Sequence, residues 1–228
     1  MDSGKCSRRR LHLTLSRPGL LLIALLPLGQ PGAQTAPSAE ATTSAGALED
    51  FVTEVRSLSA HFDQELWGEG GELLETAAGE FSLKRPNRFL WHYETEPEQY
   101  IVADGTDLWM YDVELAQVTR APLDELAAAS PAMLLSGDTG VGDSFEIDRT
   151  YELDGVQWVR LLPKGGTGDF SSVLLGFEGG VPIAIEIVDG LDQTTRIEFS
   201  DVLVDPELDD RDFVFEAPAG VSVIGADR

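Results

Sequence analysis

Gly79-Glu80-Phe81-Ser82-Leu83-Lys84-Arg85-Pro86-Asn87-Arg88-Phe89-Leu90-Trp91-His92-Tyr93 carries the pattern on which the fold turns. Phe81 and Leu83 alternate before Pro86, and Phe89, Trp91 and Tyr93 alternate after it. A period of two belongs to a strand with one face against a core and the other in water. Pro86 fixes φ and removes one ladder donor, as at a bend in a strand. The same alternation returns at Ile183, Ile185 and Ile187, and at Ile197 and Phe199.

Outward from this stretch the pattern repeats. Strands are expected at roughly 73–84, 88–94, 99–103, 107–112, 117–120, 144–153, 156–162, 170–178, 181–188 and 194–204, with a short last one at 212–215. Asp104-Gly105, Asp154-Gly155, Gly179-Gly180 and Asp189-Gly190 lie between several of them, as in antiparallel hairpins. Upstream, Leu48, Phe51, Val52 and Val55 have helical spacing, which predicts a helix from Ala47 to about Ser57. The period then changes to two over 58–66. Helical character returns only at 123–129 and 131–135, and no βαβ alternation is seen. One antiparallel sheet with an N-terminal helix and one or two mid-chain helices follows. Its apolar face is either packed solid or left as a cavity under a thin lid, and periodicity does not choose between these.

Composition bounds the function. The 228 residues include 43% hydrophobic ones, which suits one globular domain of moderate size. Lys+Arg is 16 against Asp+Glu 40, a net charge of −24, which argues against a nucleic-acid partner. Mean hydropathy is −0.07, and the one long apolar run, Leu20 to Leu28, follows Lys5, Arg8, Arg9, Arg10 and Arg17. That is the form of a secretory signal, too short to span a bilayer. Residues 1–33 are read as the signal, with cleavage between 33 and 41, then a flexible lead-in over 34–46 and the domain proper over 47–228. Cys6 leaves with the signal, so no disulfide, thiolate metal site or acylated cysteine is expected in the exported chain.

Six segments in order resemble the outer-membrane lipoprotein carrier (LolA) family: 79–91 with its Lys84-Arg85-Pro86-Asn87-x-Phe89-x-Trp91, 101–112, 117–119, 131–135, 161–164, and Phe213-x-Phe215-x-x-Pro218-x-Gly220-Val221. The resemblance implies a mainly β fold: an unclosed antiparallel β-barrel, or half-barrel, with an N-terminal helix and short lid helices over a hydrophobic concave face. It implies a periplasmic chaperone that takes acylated lipoproteins from an ABC-type inner-membrane release complex, shields their acyl chains and passes them to an outer-membrane receptor. A monomer without cofactor or metal is expected. On the same resemblance Phe81, Leu83, Phe89, Trp91, Tyr93, Ile183, Ile185 and Ile187 line the acyl-chain cavity. Met133, Leu134 and Leu135 belong to the lid, and Arg85, which shares the inward parity of Phe81 and Leu83, latches it through loop carbonyls. A second reading of the half-barrel is a lipid- or lipoprotein-sensing domain of envelope-stress regulation.

Enzymatic readings have little to rest on. His61 and His92 fall on the outward parity of their strands, no G-x-S-x-G elbow exists, and Gly165-Gly-Thr-Gly168 lacks the Lys-Ser/Thr of a phosphate loop. The acid-rich 205–212 lacks the spacing of a calcium loop. Trp109 and Tyr111 alternate with Leu108 and Met110, so that strand is apolar on both faces.

Overall fold

The computed structural model describes residues 44–123, 135–136, 144–166 and 170–225. The signal segment, its cleavage region and most of the mid-chain helical stretch, including Met133 and Leu134, lie outside the described residues. Helix α1 spans Ser44–Glu54. It begins within the stretch read as lead-in and ends earlier than the expected Ser57, which is the first residue of β1. Two hydrogen bonds stop it: Asp205 Oδ1 accepts from the backbone N–H of Arg56 at 2.7 Å and of Ser57 at 3.1 Å. These turn the chain out of helix and into the sheet.

Twelve strands form one sheet: β1 (Ser57–Trp67), β2 (Leu73–Lys84), β3 (Arg88–Tyr93), β4 (Gln99–Asp104), β5 (Asp107–Asp112), β6 (Gln117–Pro122), β7 (Phe145–Leu153), β8 (Val156–Pro163), β9 (Phe170–Glu178), β10 (Val181–Asp189), β11 (Thr194–Val204) and β12 (Ser222–Gly225). Their order is β12-β6-β5-β4-β3-β2-β1-β11-β10-β9-β8-β7, an unclosed sheet with β12 and β7 at its edges. Within β1–β6 and within β7–β11, chain neighbours pair as antiparallel hairpins. At Asp154-Gly155 both residues have positive φ, 53° and 85°, the combination a two-residue hairpin turn requires. Two pairings are not local: β1 with β11, antiparallel, and β12 with β6, parallel. The sheet is therefore antiparallel but for its last strand.

Residues 212–215 do not form the short strand the sequence suggests. Asp209 caps a 3-10 turn over Asp210–Phe213, accepting from Arg211 N–H, while Asp212 returns a bond to the Asp209 backbone N–H. This segment follows β11 and crosses the outer face of the sheet. Ser57 Oγ donates to the Pro206 carbonyl, and Lys84 Nζ donates to the Leu208 carbonyl and pairs with Asp210. Phe213 is fully buried, with the turn against β3 and β4. Phe215 then packs on Trp109 at 5.7 Å and Tyr111 at 5.8 Å. So Trp109 and Tyr111 face outward beneath the C-terminal segment, while Leu108 and Met110 belong to the inner face.

The inner face holds the main core. α1 lies over it, burying Ala47, Leu48 and Phe51, with Phe51 against Phe177 at 5.8 Å. No helix among the described residues is long and apolar enough to cross a membrane.

Candidate functional site

Strand register arranges the inner face in rows. The row nearest α1 runs Leu58, Leu83, Phe89, Ala103, Leu108; the next runs Ala60, Phe81, Trp91, Ile101, Met110. A third, Phe62, Gly79, Tyr93, Gln99, is where polar groups begin. Burial is not graded row by row, since Phe81 in the second row and Phe62 in the third are as fully enclosed as the first row. Leu58, Leu83, Phe89 and Ala103 are fully buried, whereas Ile101, Met110 and Tyr93 are only partly so. The far rim carries one polar tie, Tyr93 Oη donating to Gln64 Oε1 at 3.1 Å. Burial, and after it the Glu75 carboxylate, pushes the Tyr93 hydroxyl up to about 12, so it stays a neutral donor.

The rings of these rows touch. Trp91 lies 4.6 Å from Phe81 and 5.0 Å from Phe62, and Phe81 lies 5.6 Å from Phe199. Phe62 meets Tyr93 edge-on at 5.2 Å across Gly79, where a Cβ would collide with the His92 carbonyl. Phe62 and Phe199 thus join the expected set, and the period-two pattern of β1 and β11 signalled both.

The opposite wall comes from β8 to β11. Ile185 and Ile197 are buried beside Leu175 and Val159, and Ile187 packs against the edge of the same cluster. Ile183 does not share this stripe. A bulge lies between Pro182 and Ala184 and Pro182 is the residue opposite Phe177, so Ile183 is the extra residue, half-exposed and outside the core cluster. Two cavities are bounded by described residues, one of ≈ 470 Å³ beside α1 and one of ≈ 540 Å³ at the β1–β11 bulge, the second touching Ala60 and Phe81. Neither is lined by Phe89, Trp91 or Tyr93.

Arg85 sits in the turn between β2 and β3. Its Nε donates to the Val55 carbonyl at 2.9 Å and its guanidinium lies 5.2 Å from the centre of the Phe51 ring, so it grips the C-terminal end of α1. A cation there also meets the negative end of the helix dipole. Two residues on, Asn87 N–H donates to the Ser136 carbonyl at 3.0 Å, and neighbouring Leu135 is fully buried in the core cluster. The β2–β3 turn therefore fastens α1 on one side and residues 135–136 on the other. The Val55 group that Arg85 meets is the main-chain carbonyl, which no side-chain pattern announces.

His61 and His92 both lie outside this face. His61 is exposed, and His92 stacks on Tyr100 at 4.1 Å with Nε2 3.2 Å from Glu98 Oε1. Hydrogen bonds from Tyr100 and His92 hold the Glu98 carboxyl below its ordinary value.

An open β-sheet with a hydrophobic inner face, overlaid by one helix and pinned by an arginine, defines the half-barrel class of β proteins. Residues 53–216 match the family described as "Outer membrane lipoprotein carrier protein LolA". The outer-membrane lipoprotein carrier protein of Methylococcus capsulatus is 38% identical over 182 residues, covering 80% of this chain and 88% of that protein. That of Halorhodospira halophila is 40% identical over 182 residues, covering 79% and 85%. This chain belongs to the outer-membrane lipoprotein carrier family, a family of transport proteins and not of enzymes. In fold alone it also resembles an uncharacterized conserved protein from Thermus thermophilus, with a TM-score of 0.50 at 11% identity, covering 80% of this chain and 99% of that one.

Proposed function

We propose that this carrier works in the periplasm, accepting acylated lipoproteins from an ABC-type release complex of the inner membrane and handing them to an outer-membrane receptor. The acyl chains are shielded on the inner face, against Phe81, Leu83, Phe89, Trp91, Tyr93, Ile185 and Ile187, with Ile183 at the margin. The observation that carries this reading is the inner face itself: apolar rows across β1 to β5 that end in a polar tie between Tyr93 and Gln64. An acyl chain is likewise apolar with a polar end.

Because the rings already touch one another, a chain enters only if α1 and the Leu135 segment part from the face. Energetics permit this. Burying a chain of about fifteen methylenes is worth on the order of 12 kcal/mol gross, against about 2 kcal/mol for one charge-assisted hydrogen bond such as Arg85–Val55 and about 1.5–3 kcal/mol for each of Leu48, Phe51 and Leu135 re-exposed. Arg85 is accordingly the latch: it holds α1 when the face is covered and lets go as cargo enters. Met133 and Leu134 complete the lid in this reading.

Depletion in cells tests the function. Outer-membrane lipoproteins should accumulate at the inner membrane, and unchanged sorting would remove the carrier role.

A further inference from the structure

One group on the inner face is at odds with its surroundings. Trp91 is 5% exposed, and its indole Nε1 has no hydrogen-bond partner among the described residues. Phe62, Phe81, Tyr93 and Phe199 surround the ring, all within 6.4 Å centre to centre. Buried donors in folded proteins almost always have an acceptor, and one without a partner calls for a reason. Phenylalanine would keep an aromatic ring in this cluster without such a donor.

We propose that the Trp91 indole N–H is the donor for the carbonyl oxygen of a bound acyl group. This rests on the carrier reading above and adds to it what the site recognises: an acyl chain with its carbonyl, not a bare alkyl chain. Three features select that acceptor. Trp91 stands one row in from the Tyr93–Gln64 rim, so a chain lying over the Leu83–Phe89 row brings its head end to the indole. The acceptor is uncharged, because a carboxylate among four aromatic rings, with no cation over them among the described residues, would be poorly solvated. It also carries no proton of its own to satisfy, which suits an ester oxygen enclosed by rings.

The test uses a synthetic diacylated peptide, with two ester-linked chains on an S-glyceryl cysteine, and its ether-linked dialkyl counterpart of equal chain length. The full mature protein should bind the ester about fivefold more tightly than the ether, the worth of one neutral hydrogen bond. Trp91→Phe keeps an aromatic ring in place and should bring that ratio to near one, with ester affinity falling more than ether affinity. Its thermal midpoint should fall less than that of Trp91→Ala, since most of the ring contacts are kept while a donor without an acceptor is removed. Equal affinity of the wild-type protein for both peptides would overturn the proposal and leave the carrier reading standing. So would a Trp91→Phe protein that keeps the preference. If the wild-type protein binds neither peptide, the carrier reading fails along with it.

Discussion

Arg85 and Val55 meet at the end of a helix: the Nε–H of the first donates across 2.9 Å to the carbonyl oxygen of the second. The bond joins the β2–β3 turn to α1, the one described helix over the inner face. Arg85→Leu removes both this bond and the cation over Phe51, a loss on the order of 2 kcal/mol in stability. The variant is expected to take up lipoprotein and fail to pass it on, because α1 no longer has a covered position to return to. In a two-step transfer assay with purified components, normal delivery by Arg85→Leu would end the latch hypothesis.

Asp205 makes the α1–β1 junction depend on acid. The backbone N–H groups of Arg56 and Ser57 hold its carboxyl below the ordinary value. A carboxyl depressed in the folded state stabilises fully above its unfolded value, ~3.9, and the contribution is lost as pH falls through the folded one. Thermal midpoints should therefore drop below about pH 4. Asp205→Asn keeps an acceptor at Oδ1 but gains no proton, so its acid limb should be flatter than that of the wild type. Superimposable acid limbs would rule out this residue as a contributor.

Gly79→Ala asks how tightly the β2–β3 ladder is drawn. An added Cβ collides with the His92 carbonyl and crowds the Phe62 ring. Strand separation should cost at least about 2 kcal/mol, as overpacking against backbone does. A urea midpoint within error of the wild type would show that the hairpin opens freely.

Phe213→Ala probes the outer face. The ring is fully buried where its turn packs on β3 and β4, on the side of the sheet away from α1. Its loss should cost about 3–5 kcal/mol while leaving lipoprotein affinity intact. A variant of full stability would mean that the C-terminal segment merely rests on the sheet.

Strands were legible wherever one face is buried, because alternation there is forced: β2, β3, β9 and β11 fall where Phe81, Phe89, Leu175 and Phe199 place them. The same rule failed at 212–215, where Phe213 and Phe215 alternate but Asp209 and Asp212 form a capping box that bends the chain into a 3-10 turn. β12 left no signal, since all four of its residues are exposed and it adds to β6 by backbone alone. Ile183 looked like part of a stripe because a bulge leaves no mark in a run of isoleucines. The inward parity of Arg85 was readable. Its partner was not, being a main-chain carbonyl.

One seam has a kinetic consequence. β2 to β6 and β7 to β11 are each a meander of neighbours along the chain, and apart from the short β12 edge only β1–β11 joins strands distant in sequence. Closing that loop costs chain entropy before any contact repays it. The two meanders should assemble first and the seam last, so substitutions along β1–β11 should speed unfolding far more than they slow refolding.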